Sequence, residues 1–102
     1  MKKNNYVPAL ISSITLLEIL RGIEDKKRVQ VRQLLEESFS VLNLDNNIIE
    51  TYCRIYRKLK EQGKLLPDAE LIIAATAIAY DLILETKDAH FLRLKNFGLK
   101  LE

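Results

Sequence analysis

Three carboxylates in this sequence stand where short apolar runs give way to helix-like stretches. Glu18 follows the run Ala9–Ile14, Asp68 follows Pro67 at the head of an alanine-rich stretch, and Asp88 follows the run Leu82–Thr86. If the apolar runs are parallel strands, Glu18 and Asp88 share one sheet edge, where Asp68 can join them. Carboxylates gathered in one place repel one another unless a cation stands between them. Oxygen-only donors suit a hard ion such as Mg2+ or Mn2+. Such ions activate water and stabilise the leaving oxygen in phosphodiester hydrolysis. Each acid also has a plainer reading: Glu18 completes a capping box with Thr15, Asp68 caps its helix, and Asp88 caps a turn. The two readings are compatible, because a cap at a crevice can also bind a metal.

The elements that must position these acids follow from periodicity. Ala9–Ile14 reads as a strand, followed by a helix from Thr15 to about Arg21 that stops at Gly22. Lys26–Ser38 reads as a second helix with Val29, Leu34 and Leu35 on its inner side, and Phe39–Leu44 as the next strand. Asp45 or Asn46 caps a long helix ended by Gly63, in which Ile48, Tyr52, Ile55, Tyr56 and Leu59 form one apolar stripe. Pro67-Asp68 opens a helix that is apolar on nearly all sides and therefore buried. Leu82–Thr86 is a short strand, Asp88–Leu94 a turn or short helix, and Leu99–Leu101 a last strand. Alternating strands and helices predict an α/β domain with a mainly parallel sheet.

Composition sets the outer bounds. The 102 residues fit one domain, 48% hydrophobic and 29% charged, a soluble globular balance rather than a disordered one. The net charge of +2 does not demand a nucleic acid, but local clusters permit one. Arg21, Lys26, Lys27, Arg28 and Arg32 form the denser basic cluster and are the better RNA candidates; Arg54, Arg57, Lys58 and Lys60 read as a solvated helix face. A single cysteine, Cys53, excludes an internal disulfide framework and points to a reducing cytosol. Cys53 reads as packing, the lone His90 as a packing or capping residue, and Tyr52 and Tyr56 as core or dimer interface. Lys2 and Lys3 are followed by Asn4 and Asn5 rather than an apolar stretch, so no signal peptide is expected, and no run is long enough to span a membrane.

Three segments carry a resemblance. Ile11-Ser12-Ser13-Ile14-Thr15-Leu16-Leu17-Glu18-Ile19-Leu20-Arg21-Gly22 resembles the second-strand motif of PIN domains, with its acid and closing Arg-Gly. Pro67-Asp68-Ala69-Glu70-Leu71-Ile72-Ile73-Ala74-Ala75-Thr76-Ala77 resembles the third-acid motif. Leu84-Glu85-Thr86-Lys87-Asp88-Ala89-His90-Phe91 resembles the fourth, a strand followed by Thr-x-Asp and a nearby Phe. Together they resemble the PIN-domain family of VapC-type toxin ribonucleases, from about Ile11 to the C-terminus. The resemblance implies a three-layer α/β/α fold and Mg2+- or Mn2+-dependent RNA cleavage. It makes Glu18, Asp68 and Asp88 the metal-binding catalytic acids and Thr86 the small polar residue beside them. It implies a VapB-like antitoxin and a second copy of the chain as partners.

One departure accompanies the resemblance. PIN domains begin with a central strand ending in an aspartate, and Met1–Leu10 contains no acidic residue. On that reading the chain is N-terminally truncated, and the strands Ala9–Ile14 and Leu82–Thr86 lack the partner between them. Exposed sheet edges or a homodimer, possibly strand-swapped, are then expected. Two alternatives stay open: a catalytically inactive PIN-like remnant that dimerises or binds a partner, and a helical nucleic-acid-binding module that uses the Arg21–Arg32 cluster without metal.

Overall fold

Ser12 both ends the first strand and starts the first helix. The structure, a computed structural model, describes residues 9–86 and 88–102; residues 1–8 and Lys87 of the fourth motif lie outside the described residues. Strand β1 is Ala9–Ser12 and helix α1 is Ser13–Leu20. The Ser12 hydroxyl accepts from the Ile14 amide at 3.1 Å, satisfying one of the donors that a helix start leaves open. This cap lies three residues before Thr15, so the expected box of Thr15 with Glu18 does not form. Helix α2, Asp25–Ser38, buries no residue fully. Its half-buried row is Arg28, Val31 and Leu35, at helical spacing, whereas Val29 and Leu34, expected to point inward, are 55% and 59% exposed. Strand β2, Phe39–Leu42, pairs in parallel with β1 from Ala9↔Phe39 to Ser12↔Leu42, the two helices forming the crossover that parallel pairing requires.

Chain contacts gather into two compact units where the sequence reads as a single domain: one ends at Asn43 and the other begins at Leu44. The second unit is built on helices α3, Asn46–Glu61, and α4, Asp68–Ala79. Asp45 caps α3 by accepting from the Ile48 amide at 2.9 Å. Ile48, Thr51, Ile55 and Leu59 are buried along one row, and Tyr52 and Tyr56 flank it half-buried. At the far end Gly63 takes φ 68°, a left-handed conformation that suits glycine, and Lys64 donates back to the Leu59 carbonyl at 2.9 Å. In α4 the residues Leu71, Ala74, Ala75, Thr76 and Ala77 are buried, and the small alanines allow a neighbouring helix close approach. Thr76 meets the cost of burying its hydroxyl by donating to the Ile72 carbonyl at 2.8 Å. Strand β3, Ile83–Leu84, is shorter than the expected Leu82–Thr86; it pairs in parallel with β4, Lys100–Leu101, and a 3-10 helix, Ala89–Phe97, joins them. Ile55, Leu59, Leu66, Leu71, Ala74, Ala77, Phe91, Leu94 and Leu99 form the core cluster. The mainly parallel sheet expected from the sequence is, among the described residues, two parallel pairs, β1–β2 and β3–β4.

Polar ties fix α3 against α4. The Tyr80 hydroxyl, just past α4, donates to the Asp45 cap of α3, and the Tyr52 hydroxyl on α3 donates to the Asp68 carboxylate at the start of α4 at 2.8 Å. The helices therefore run antiparallel. Asp45 is held below the usual carboxylate range, first by the Tyr80 hydroxyl and then by the Ile48 amide. Tyr52 is pushed up to about 12, first by burial and then by the Asp68 carboxylate that accepts its proton.

Leu59 is fully buried, so Leu59→Ala should destabilise the protein by about 2–5 kcal/mol. The exposed Leu34→Ala should stay within about 0.5 kcal/mol, and urea unfolding of the two variants checks the contrast. Because the Tyr52 value lies above the ordinary 10.0, the stability contributed by the neutral phenol is present below pH 10 and lost as pH rises through about 12. Phenolate absorbance should show one tyrosine titrating late. Asp68→Asn should bring it part of the way back and not fully, since burial is the larger cause.

Candidate functional site

The segment between β3 and the 3-10 helix is shaped by its own side chains. The Asp88 amide donates to the Thr86 hydroxyl at 3.1 Å, which sets the turn after β3. One carboxylate oxygen of Asp88, Oδ1, then accepts from the His90 amide at 2.9 Å and caps the 3-10 helix. Asp88 is thus a turn cap, as its plainer reading holds, and Thr86 lies beside it. His90 turns its ring back, with Nδ1 at 3.2 Å from Asp88 Oδ1 and 3.7 Å from Glu70 Oε1.

Glu70 comes to this place from the first turn of α4. Its side chain is 30% exposed, yet its Oε1 atom is buried without a hydrogen-bond partner among the described residues. Leaving a buried acceptor unsatisfied costs about 1–3 kcal/mol, and more when the group is charged. Glu70, Asp88 and His90 each offer one ligand atom, all within 4.8 Å of one another. Two carboxylates this close repel, and a divalent cation between them would satisfy both, along with the orphaned oxygen. The donor set therefore fits a divalent metal ion, with Asp88 and His90 exposed enough for solvent or substrate to reach it.

The other expected site residues are placed differently. Asp68 is the first residue of α4, but Pro67 is the N-cap and makes no side-chain capping bond, so Asp68 is not the cap its plainer reading made it. Its carboxylate is taken up by Tyr52. Glu18 is an exposed residue of α1 in the first unit. Arg28 is committed locally, donating to the Ile23 carbonyl at 3.2 Å and pairing with Asp25. Arg21, Lys26, Lys27 and Arg32 are exposed. Cys53, read from the sequence as packing, is exposed on α3. The rings of Tyr52 and Tyr56 stack with centroids 5.9 Å apart against the core of the second unit.

Sequence reasoning named Asp88 and Thr86, gave Glu70 no role and set His90 aside; the structure brings Glu70, Asp88 and His90 together. A signal for Glu70 existed. Residues two apart on a helix do not face the same way, so of the two acids in Asp68-Ala69-Glu70 only one can look toward Asp88. Which one is decided by how the helix is rotated on the core.

The comparisons with known proteins bear on the family and the fold. The PIN domain matches residues 3–96 of the chain. Ribonuclease VapC1 of Methanocaldococcus jannaschii is 47% identical over 92 residues, which cover 89% of this chain and 68% of that protein. Ribonuclease VapC1 of Rickettsia felis is 32% identical over 95 residues, covering 83% of this chain and 71% of that one. Among solved structures, VapBC-1 from nontypeable Haemophilus influenzae superposes with a TM-score of 0.81 at 25% identity, over 97% of this chain and 78% of that one. The motifs, the parallel α/β elements and these relatives lead to one conclusion: the chain belongs to the PIN-domain family, in its VapC type.

Proposed function

We propose that this chain is a divalent-metal-dependent endoribonuclease, the toxin of a type II toxin–antitoxin pair, hydrolysing RNA phosphodiesters in the cytoplasm. The observation that carries the reading is the convergence of Asp88 with the buried oxygen of Glu70, which has no partner among the described residues, in a chain 47% identical to a ribonuclease VapC1. Glu70 and Asp88 would hold the Mg2+ or Mn2+ ion; Glu18 is the acid of the second-strand motif, exposed on α1 of the first unit. A bound divalent ion supplies Lewis-acid chemistry, lowering the pKa of water and offsetting negative charge on phosphate oxygens. Asp88 is aimed by the Thr86 hydroxyl and the His90 amide. Glu70 stands in the first turn of α4, at the positive end of that helix's dipole. Arg21, Lys26, Lys27 and Arg32 are the cations available to RNA phosphates, with Arg28 committed to Asp25.

The resemblance makes Asp68 the third acid; in the proposed site Glu70 takes that part. Asp68 instead ties α4 to Tyr52 and so helps fix the helix that carries Glu70. The expected partners are a VapB-like antitoxin, by likeness to the VapBC-1 structure, and a second copy of the chain.

Cleavage of a mixed RNA substrate with Mn2+ tests the assignment. Glu70→Gln and Asp88→Asn should each lower the rate by about a hundredfold or more, a loss at least as large as that from mutating a ligand's outer-shell support. Asp68→Asn should retain most of the activity. Equal loss in Asp68→Asn and full activity in Glu70→Gln would return the role to Asp68. Absence of metal-dependent cleavage by the unaltered chain would favour a partner-binding module instead.

A further inference from the structure

The carboxylates of the cation site have a neighbour of different chemistry. His90 is the sole histidine of the chain. It is fixed on the 3-10 helix, where its amide is bonded to Asp88. Its Nδ1 stands 3.2 Å from Asp88 Oδ1 and 3.7 Å from Glu70 Oε1. Two donors at right angles around one ion, with bonds of about 2.1 Å, are about 3.0 Å apart. The His90–Asp88 separation has that scale, and the His90–Glu70 separation is within a small side-chain adjustment of it.

A simple ion pair does not account for the whole group. At 3.7 Å His90 is beyond hydrogen-bonding reach of Glu70 Oε1, and that oxygen is buried without a partner among the described residues. The imidazole is also 55% exposed, so neither burial nor packing fixes its ring in this place. A ring nitrogen and two carboxylates from two different elements, all within 4.8 Å, make a mixed nitrogen–oxygen donor set.

We infer that His90 is a nitrogen ligand to the divalent ion held by Glu70 and Asp88, and that it biases the site toward Mn2+ over Mg2+. The inference rests on the cation-site reading above. Mg2+ takes oxygen donors and parts reluctantly with its waters, whereas imidazole suits first-row transition ions. The acids alone would make a hard-ion site, and His90 shifts its preference.

The test is pulsed electron paramagnetic resonance of the full chain with Mn2+ alone, together with Mn2+ titration and competition by Mg2+. The expected result is saturable Mn2+ binding with imidazole nitrogen modulation. His90→Ala should lose that modulation, bind Mn2+ more weakly on the order of tenfold, and give up bound Mn2+ to Mg2+ more readily. Circular dichroism of His90→Ala should match the unaltered protein, because the side chain is largely exposed. Mn2+ binding that depends on Glu70 and Asp88 but shows no nitrogen modulation overturns the inference and leaves the cation site standing. Nitrogen modulation that persists in His90→Ala also overturns it. No saturable Mn2+ binding at all overturns both the inference and the cation-site reading.

Discussion

Pro67 decides where α4 begins, and the rotation of that helix on the core sets the direction of two carboxylates. Proline lacks an amide hydrogen and favours a helix start, and here it is the residue from which the helix departs. Successive residues then rotate by about 100°, so Asp68 and Glu70 point about 200° apart. One meets Tyr52 on α3, and the other meets Asp88 and His90. The Tyr52–Asp68 bond holds the helix at this rotation from one side, while the buried Leu71, Ala74 and Ala77 hold it from the core. A helix rotated by one residue about its axis would turn both acids away from their partners. Core packing, helix rotation and the make-up of the Glu70–Asp88–His90 cluster are thus one constraint.

Glu70 brings one carboxylate from the first turn of α4, and Asp88 brings a second close to it. The core behind α4 gives Glu70 Oε1 no partner: Leu71 and Ala74 are apolar, and the buried Thr76 hydroxyl donates to Ile72. Asp88 and His90 are exposed, and the divalent cation proposed there would meet both carboxylates. The turn from Thr86 to His90 keeps Asp88 in place through two short local bonds, so the site rests on regular helix on one side and a self-capped turn on the other.

Much of the layout was readable from sequence because it depends on local rules. The α3 stripe, the Asp45 cap, the Gly63 stop and the buried α4 follow from period and capping, and each appears where those rules put it. The PIN motifs named the family. The misses share a cause: they were settled by contacts distant in the chain or by competition between neighbours. Ser12 captured the α1 start ahead of Thr15, which removed the capping role from Glu18. Val29 and Leu34 fit an apolar row on paper, but α2 turned its Arg28–Val31–Leu35 row inward instead. Asp68 read as the cap of its helix, yet Pro67 holds the cap position and Tyr52, sixteen residues earlier, claimed the Asp68 carboxylate. No local pattern announces that His90 folds back on Asp88 and reaches toward α4.

The proposed divalent ion would sit at Glu70 and Asp88 and not at Asp68. Crystals soaked in Mn2+, with an anomalous difference map phased on the protein, test it most directly. The account predicts one strong peak within bonding distance of Glu70 Oε1 and an Asp88 carboxylate oxygen, with the Tyr52–Asp68 hydrogen bond intact. A peak on Asp68 with Glu70 unengaged, or a saturating soak that leaves no peak near Glu70 and Asp88, would contradict it.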